Sequence, residues 1–203
     1  MIVLSGKNEW SFADGILRKN PLLFSGMLAA PAAVFCNTVY HALSYAAVFS
    51  AVTIITLFAA KFVPRRLAYA LRIILYTVLA AAVYIPIYML LDGILPVKLS
   101  SFGVFSLLIV SGSFIVSASE LRFFRLSTGK AFLDIISHVL GFDIAVIILG
   151  GFRELLSTGG LFGNLYGISV TLPRLSSPFA GFILIGLFAA AVRVITRKTT
   201  AKD

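Results

Sequence analysis

Charge is what this chain has least of. Asp, Glu, Lys and Arg make up 12% of its 203 residues, about half the share usual in a soluble domain. The 41 residues from Asn20 to Ala60 carry none at all. Acid is the scarcer sign, with eight Asp and Glu against 17 Lys and Arg. Cysteine is rarer still: Cys36 stands alone, which excludes a disulfide within the chain and any cysteine spacing for a metal. A buried thiol of this kind packs as a small hydrophobe. Catalytic patterns are missing too. No serine stands with a base and an orienting group in a recognisable spacing, and the glycines between Gly150 and Gly163 lack the strand–loop–helix context of a phosphate cradle. By itself the chain is expected not to be a catalyst.

Apolar sequence fills the space. Hydrophobic residues are 60% of the chain and the mean hydropathy is +1.02. Besides Asn20–Ala60, uncharged runs of 19, 21 and 18 residues cover Ile73–Leu91, Leu99–Ser119 and Leu175–Val192. A spanning helix needs roughly 20 mostly apolar residues. The expectation is an all-α polytopic membrane protein with six spans, near residues 20–36, 40–60, 69–91, 100–119, 131–153 and 178–196. The first is short and contains Pro31, so it reads as a broken or half-depth helix, and Pro86 is expected to kink the third.

With six spans, fourteen of the 17 Lys and Arg fall on one side, and Lys98, Arg153 and Arg174 on the other. The positive-inside rule then places residues 1–19 and the tail 197–203 in the cytoplasm, with 20–196 as one membrane domain in the cytoplasmic (inner) membrane. The N-terminal MIVLSGKNEWSFADG lacks the apolar core and cleavage site of a secretory signal. Its Trp10 and Phe12 mark either an interfacial segment or a frayed tail. The net charge of +9 is a topology signal: the charges are dispersed over loops, with no basic patch to fit nucleic acid. The expected surroundings are lipid.

Residues 20–91 and 100–196 each hold three spans, and each set opens on small or helix-weakening residues, Ala29-Ala30-Pro31 and Ser111-Gly112-Ser113. Three is odd, so a duplicated half enters the membrane upside down. Interrupted segments at matching places in inverted halves usually mark a functional centre. Glycines and serines that merely allow close helix packing would produce the same pattern.

The block Leu133–Gly163, LDIISHVLGFDIAVIILGGFRELLSTGGLFG, resembles the fifth helix and following loop of the E subunit of Rnf complexes and of the D subunit of sodium-translocating NADH:quinone reductase. Asn20–Ser44, Gly103–Glu120 and Ser177-Pro178 align with that family as well, so the resemblance covers nearly the whole chain. It implies two inverted three-helix repeats with broken or half-helices 1 and 4. It also implies a homologous, oppositely oriented membrane subunit as partner (the A subunit of Rnf complexes), with other Rnf- or reductase-type subunits around them. In the family, a cysteine before the first-segment proline and one in a Thr-Asn-Cys run of the fourth segment help hold a [2Fe–2S] cluster.

Here the matching positions are Ala30 and Ser113. Such clusters take thiolate ligands; alanine supplies nothing and a serine oxygen is a poor substitute. Cys36, six residues on, is about 240° around a helix and roughly 9 Å along it from Ala30. No cofactor is therefore expected in this chain. FMN and iron–sulfur clusters are expected on partner subunits, and the chain reads as a non-catalytic membrane subunit of an ion-translocating electron-transport complex, structural or lining the ion path. The alternative is a stand-alone inverted-repeat transporter of an ion or small solute.

Asp143, mid-way along the fifth span, costs on the order of 2.5–3.5 kcal/mol to insert and is a functional candidate by default. It is either an ion station, with Ser111 and Ser113 as further candidates for the path, or a structural carboxylate satisfied by an amide or hydroxyl such as Ser111 or Ser113. Asp134 and His138 share a helical face. Arg153 and Glu154 match the family's Arg-Glu pair; about 100° apart, they cannot pair with each other. They either cap the helix end and anchor the turn Ser157–Gly163 or contact a partner. Gly26, Gly103, Gly141, Gly150, Gly151 and Gly186 read as helix-packing positions.

Overall fold

The computed structural model describes residues 15–16, 20–64, 66–110, 113–121, 128–165 and 172–200. Six α-helices dominate it: α1 (Ala29–Phe35), α2 (Val39–Ala60), α3 (Tyr69–Leu91), α4 (Ser113–Leu121), α5 (Thr128–Thr158) and α6 (Pro178–Thr200). Four of them, α2, α3, α5 and α6, are long and apolar enough to cross a membrane. The protein is an all-α polytopic membrane protein.

The first and fourth expected spans are not full-length helices. α1 has seven residues and α4 nine, about 10 and 14 Å of rise. Asn20–Leu28 forms turns ahead of α1, with Gly26 and Leu28 in left-handed conformations. The break thus precedes Ala29-Ala30-Pro31, and Pro31 falls in the first turn of α1, where its missing N–H does no harm. In the fourth segment, Leu99–Ile109 winds as 3₁₀ helix, interrupted at Gly103 (φ 51°, ψ −143°), before α4 begins. Tyr84 of α3 holds this stretch by donating to Ser106 Oγ at 2.7 Å. Pro86 lies inside α3, which is helical on both sides of it.

α2 and α5 are the core. In their most apolar windows 56% and 50% of residues are buried, against 17% for α3 and 22% for α6. The two central helices run antiparallel: Val39 lies by Glu154, Ala42 by Gly150, and Ser50 by Asp143. A Cβ on Gly150 would sit 2.7 Å from Ala42 Cβ and 2.8 Å from the Thr38 carbonyl oxygen, so only glycine lets the backbones come this close. Aromatic rings fill the rest of the seam, with Phe49 and Phe142 at 4.1 Å and Tyr45 against both Phe102 and Phe142. In lipid such packing, rather than release of water, drives association. α3 and α6 flank the core and present Ile74, Val78, Ile85, Met89, Phe179, Leu187 and Ile195 outward.

α2 and α5, the middle helices of the two expected three-helix sets, run antiparallel. Across the sets, α1 packs on α6 and α4 on α3. Of the six glycines read as packing positions, Gly141 and Gly150 meet backbone or side chain at close range. Gly151 makes ordinary contact, and nothing lies within 4 Å of a Cβ at Gly26, Gly103 or Gly186. Gly26 and Gly103 serve conformation instead. Gly181, which no sequence pattern singles out, is the tight one on α6, where a Cβ would lie 2.5 Å from the Ala33 carbonyl oxygen.

Candidate functional site at the α2–α5 seam

The fifth helix does not stop at its charged pair. It runs on to Thr158 because Arg153 and Glu154 find partners in the protein and need no water. Arg153 is fully buried. Its Nε donates to the Leu175 carbonyl at 3.1 Å; one terminal nitrogen donates to Ala33 (2.7 Å) and Cys36 (3.0 Å), the other to Ser176 and Ser177 (both 2.9 Å). All five guanidinium N–H groups are thereby used. The acceptors are carbonyls at the C-terminal end of α1 and in the turn before α6, the kind of group a helix end leaves unpaired and a cation favours.

Glu154, also buried, does the opposite work. One oxygen accepts the Val39 N–H at the start of α2 (2.8 Å) and the other the Gly163 N–H (2.9 Å). Gly163 belongs to a feature that the all-α expectation does not contain, a two-stranded hairpin of β1 (Gly160–Leu161) and β2 (Asn164–Leu165). Its two turn residues, Phe162 and Gly163, both have positive φ, as a two-residue hairpin turn demands. The Arg-Glu pair therefore ties α1, α2, α5, the hairpin and the entry to α6 at one end of the molecule.

Asp143 sits in the middle of the same helix. Ser50 of α2 donates to its Oδ2, while Oδ1 is buried and has no hydrogen-bond partner among the described residues. The partner is thus a serine on the other central helix. Ser111 lies outside the described residues, and of Ser113 only the backbone, at the start of α4, is described. Ser44, Thr53 and Thr56 on α2 also carry buried hydroxyls without a partner among the described residues.

At the opposite end, Arg72 of α3 makes a fork to both Glu120 oxygens of α4 at 2.8 Å, and Tyr76 donates to Glu120 Oε1 at 2.9 Å. A bidentate pair of this kind fixes orientation as well as distance. Sequence reasoning uses Arg72 only as a topology charge. The available signal is that Glu120 ends the uncharged run Leu99–Ser119 and Arg72 stands just before the run Ile73–Leu91.

Ala30 lies next to Pro31 in α1, exposed, with a methyl group and no donor atom. Cys36 caps the far end of α1, buried, with its carbonyl held by Arg153. Among the described residues no group of three or more His, Cys, Asp or Glu could hold a metal ion. The described residues around Ala30 do not fit an iron–sulfur cluster.

Residues 10–196 match the sequence profile of a family described as Rnf-Nqr subunit, membrane protein. The chain belongs to the Rnf-Nqr family. It is similar to the E subunit of the proton-translocating ferredoxin:NAD(+) oxidoreductase complex of Clostridium ljungdahlii, 25% identical over 192 residues, covering 93% of this chain and 90% of that protein. The E subunit of the ion-translocating oxidoreductase complex of Yersinia pestis is 27% identical over 205 residues, covering 94% and 88%. The E subunit of the Na(+)-translocating ferredoxin:NAD(+) oxidoreductase complex of Acetobacterium woodii is 30% identical over 130 residues, covering 63% and 66%.

Proposed function

We propose that this Rnf-Nqr chain is an E-type membrane-core component of an ion-translocating oxidoreductase complex, from a branch that carries no [2Fe–2S] cluster. The observation that carries the reading is the conjunction of a family fold with a methyl group at Ala30 where a thiolate would stand. Its task is architectural: the Arg153–Glu154 knot and the glycine-tight α2–α5 seam hold two inverted halves together. An inverted homologous subunit packs beside it in the cytoplasmic membrane, with both termini on the cytoplasmic side, where the basic ends of the helices gather. FMN and iron–sulfur clusters belong to the other subunits. The relatives' names differ in the ion moved, proton in one and sodium in another, so kinship does not choose the coupling ion.

A second role rests on one atom. The Oδ1 of Asp143, which has no hydrogen-bond partner among the described residues, is what an ion-binding carboxylate would offer, and it favours a place for Asp143 in the ion path over a purely structural one.

The test is a mild-detergent pull-down of the tagged chain from its native membrane, read by mass spectrometry. Recovery with an inverted homologue and with flavin or iron–sulfur subunits is the expected result. Recovery alone or as a homo-oligomer would overturn the placement and turn attention to a stand-alone transporter.

A further inference from the structure

The end of the molecule that carries the Arg153 knot also holds a pocket that the knot does not fill. Its volume is about 470 Å³, within the range of small-molecule sites. Thr38, His41 and Glu154 are its polar lining, and Tyr40, Pro96 and Val97 form apolar walls. Three elements converge here at one depth: α2 begins at Val39, α5 ends at Thr158, and Pro96 and Val97 follow the end of α3 at Leu91. The level at which apolar spans end is the level of lipid headgroups, and an exposed tyrosine such as Tyr40 is typical of it.

The lining is fixed from behind. Thr38 Oγ1 accepts the His41 N–H at 3.2 Å and lies 2.7 Å from His41 Nδ1. The His41 ring stands edge-on to Phe102 at 6.0 Å, and the Tyr40 ring edge-on to Phe162 at 5.8 Å. Glu154 is held at the wall by the Val39 and Gly163 N–H groups. No Lys or Arg is among the lining residues, and the Arg153 guanidinium gives its donors to carbonyls of Ala33, Cys36 and the turn before α6. The pocket thus offers a carboxylate, a hydroxyl and an imidazole, with no fixed cation.

We propose that this pocket seats the ammonium headgroup of a phosphatidylethanolamine-type lipid. A primary ammonium carries three hydrogen-bond donors and no acceptor, which suits a lining rich in acceptors. An anionic headgroup would find no cation among the lining residues and would meet a carboxylate. A bare calcium ion takes about six to eight oxygen ligands, more than Thr38 and Glu154 supply. The rest of such a lipid is accommodated outside the pocket. Lys98, exposed and next to Val97, suits the phosphate. Leu43, exposed one turn deeper on α2, lies on the side of the acyl chains. The site concerns the chain itself and does not depend on which complex the chain joins.

The experiment offers phosphatidylethanolamine or phosphatidylcholine, with the same acyl chains, to the full chain purified in mild detergent and stripped of lipid. Bound lipid is counted by native mass spectrometry. The two lipids differ only in the head amine, which donates hydrogen bonds in the first and cannot in the second. Expected is one phosphatidylethanolamine retained about ten-fold more strongly than phosphatidylcholine, the size of one charge-assisted hydrogen bond. Val97→Trp fills the pocket from the loop after α3, away from the knot, and should erase the preference. Equal retention of the two lipids, or an unchanged preference in Val97→Trp, would overturn the inference. Displacement of the lipid by an equal concentration of free ethanolamine would overturn it as well. The wild-type comparison needs no variant, so the inference is tested even where Val97→Trp fails to fold. Because no partner chain or ion flux is read, its failure is separable from failure of the proposed function.

Discussion

The charged pair Arg153–Glu154 and the lone Asp143 lie on one apolar helix, ten and eleven residues apart in sequence, and the protein treats them in contrasting ways. The pair is saturated, with five guanidinium donors and both carboxylate oxygens placed on backbone groups of other elements. Asp143 receives one hydroxyl and keeps an oxygen without a partner among the described residues. Burying a charge is tolerable when every hydrogen-bonding position is met and costly when one is not. On the proposed function, the saturated pair serves the scaffold and the half-satisfied carboxyl is the candidate for a place in the ion path.

Removing the pair should break the molecule. Arg153→Ala leaves five carbonyls facing its empty place and is expected to cost on the order of 5 kcal/mol or more. In practice this means loss of folded protein in detergent extracts, checked by yield and thermal unfolding. Arg153→Lys keeps the charge but loses the fork and should fall between. Wild-type stability in Arg153→Ala would show that the contacts are incidental.

Next in size is the seam that brings the two sites' helices together. Gly150→Ala must push α2 from α5, since the new methyl would lie 2.7 Å from Ala42 Cβ, and overpacking of this kind costs about 1–3 kcal/mol. Denaturant or thermal melting would measure it. Gly186→Ala, with nothing nearby, is the matched control and should be neutral or slightly stabilising.

The smallest structural effect is expected at Asp143 itself. Asp143→Asn keeps the shape and the bond from Ser50, so stability should change by less than about 1.5 kcal/mol. If the carboxyl serves an ion path, ion flux by the intact complex should nevertheless fall. Unchanged flux with unchanged assembly would remove the path reading and leave only the structural one.

The contrast also marks how far the sequence is readable. α2 and α3 are legible to within a residue or so, because long uncharged apolar runs that end at a charged residue, Lys61 after α2 and Asp92 after α3, are the signal a membrane imposes. Asp143 is legible as an oddity for the same reason. Its partner is not: Ser50 is one of many serines, and only the antiparallel register of α2 on α5 selects it. The end of α5 lies beyond its expected place because a charged pair normally closes a span, and nothing local reveals that a carbonyl 120 residues earlier in the chain will help satisfy Arg153. The half-helices are expected from the sequence but not their form. The turn at Gly26 and Leu28 and the 3₁₀ winding after Leu99 depend on left-handed backbone and on the Tyr84–Ser106 bond, which composition does not report.

The central claim is that this member of the Rnf-Nqr family keeps the scaffold and has lost the cluster. Iron and acid-labile sulfide, measured in the chain purified with its partners from native membranes and again after this chain is removed, test it most directly. The account predicts no stoichiometric iron or sulfide assignable to this chain, and a complex whose content is unchanged by its removal. Stoichiometric iron and sulfide that disappear with this chain would contradict it.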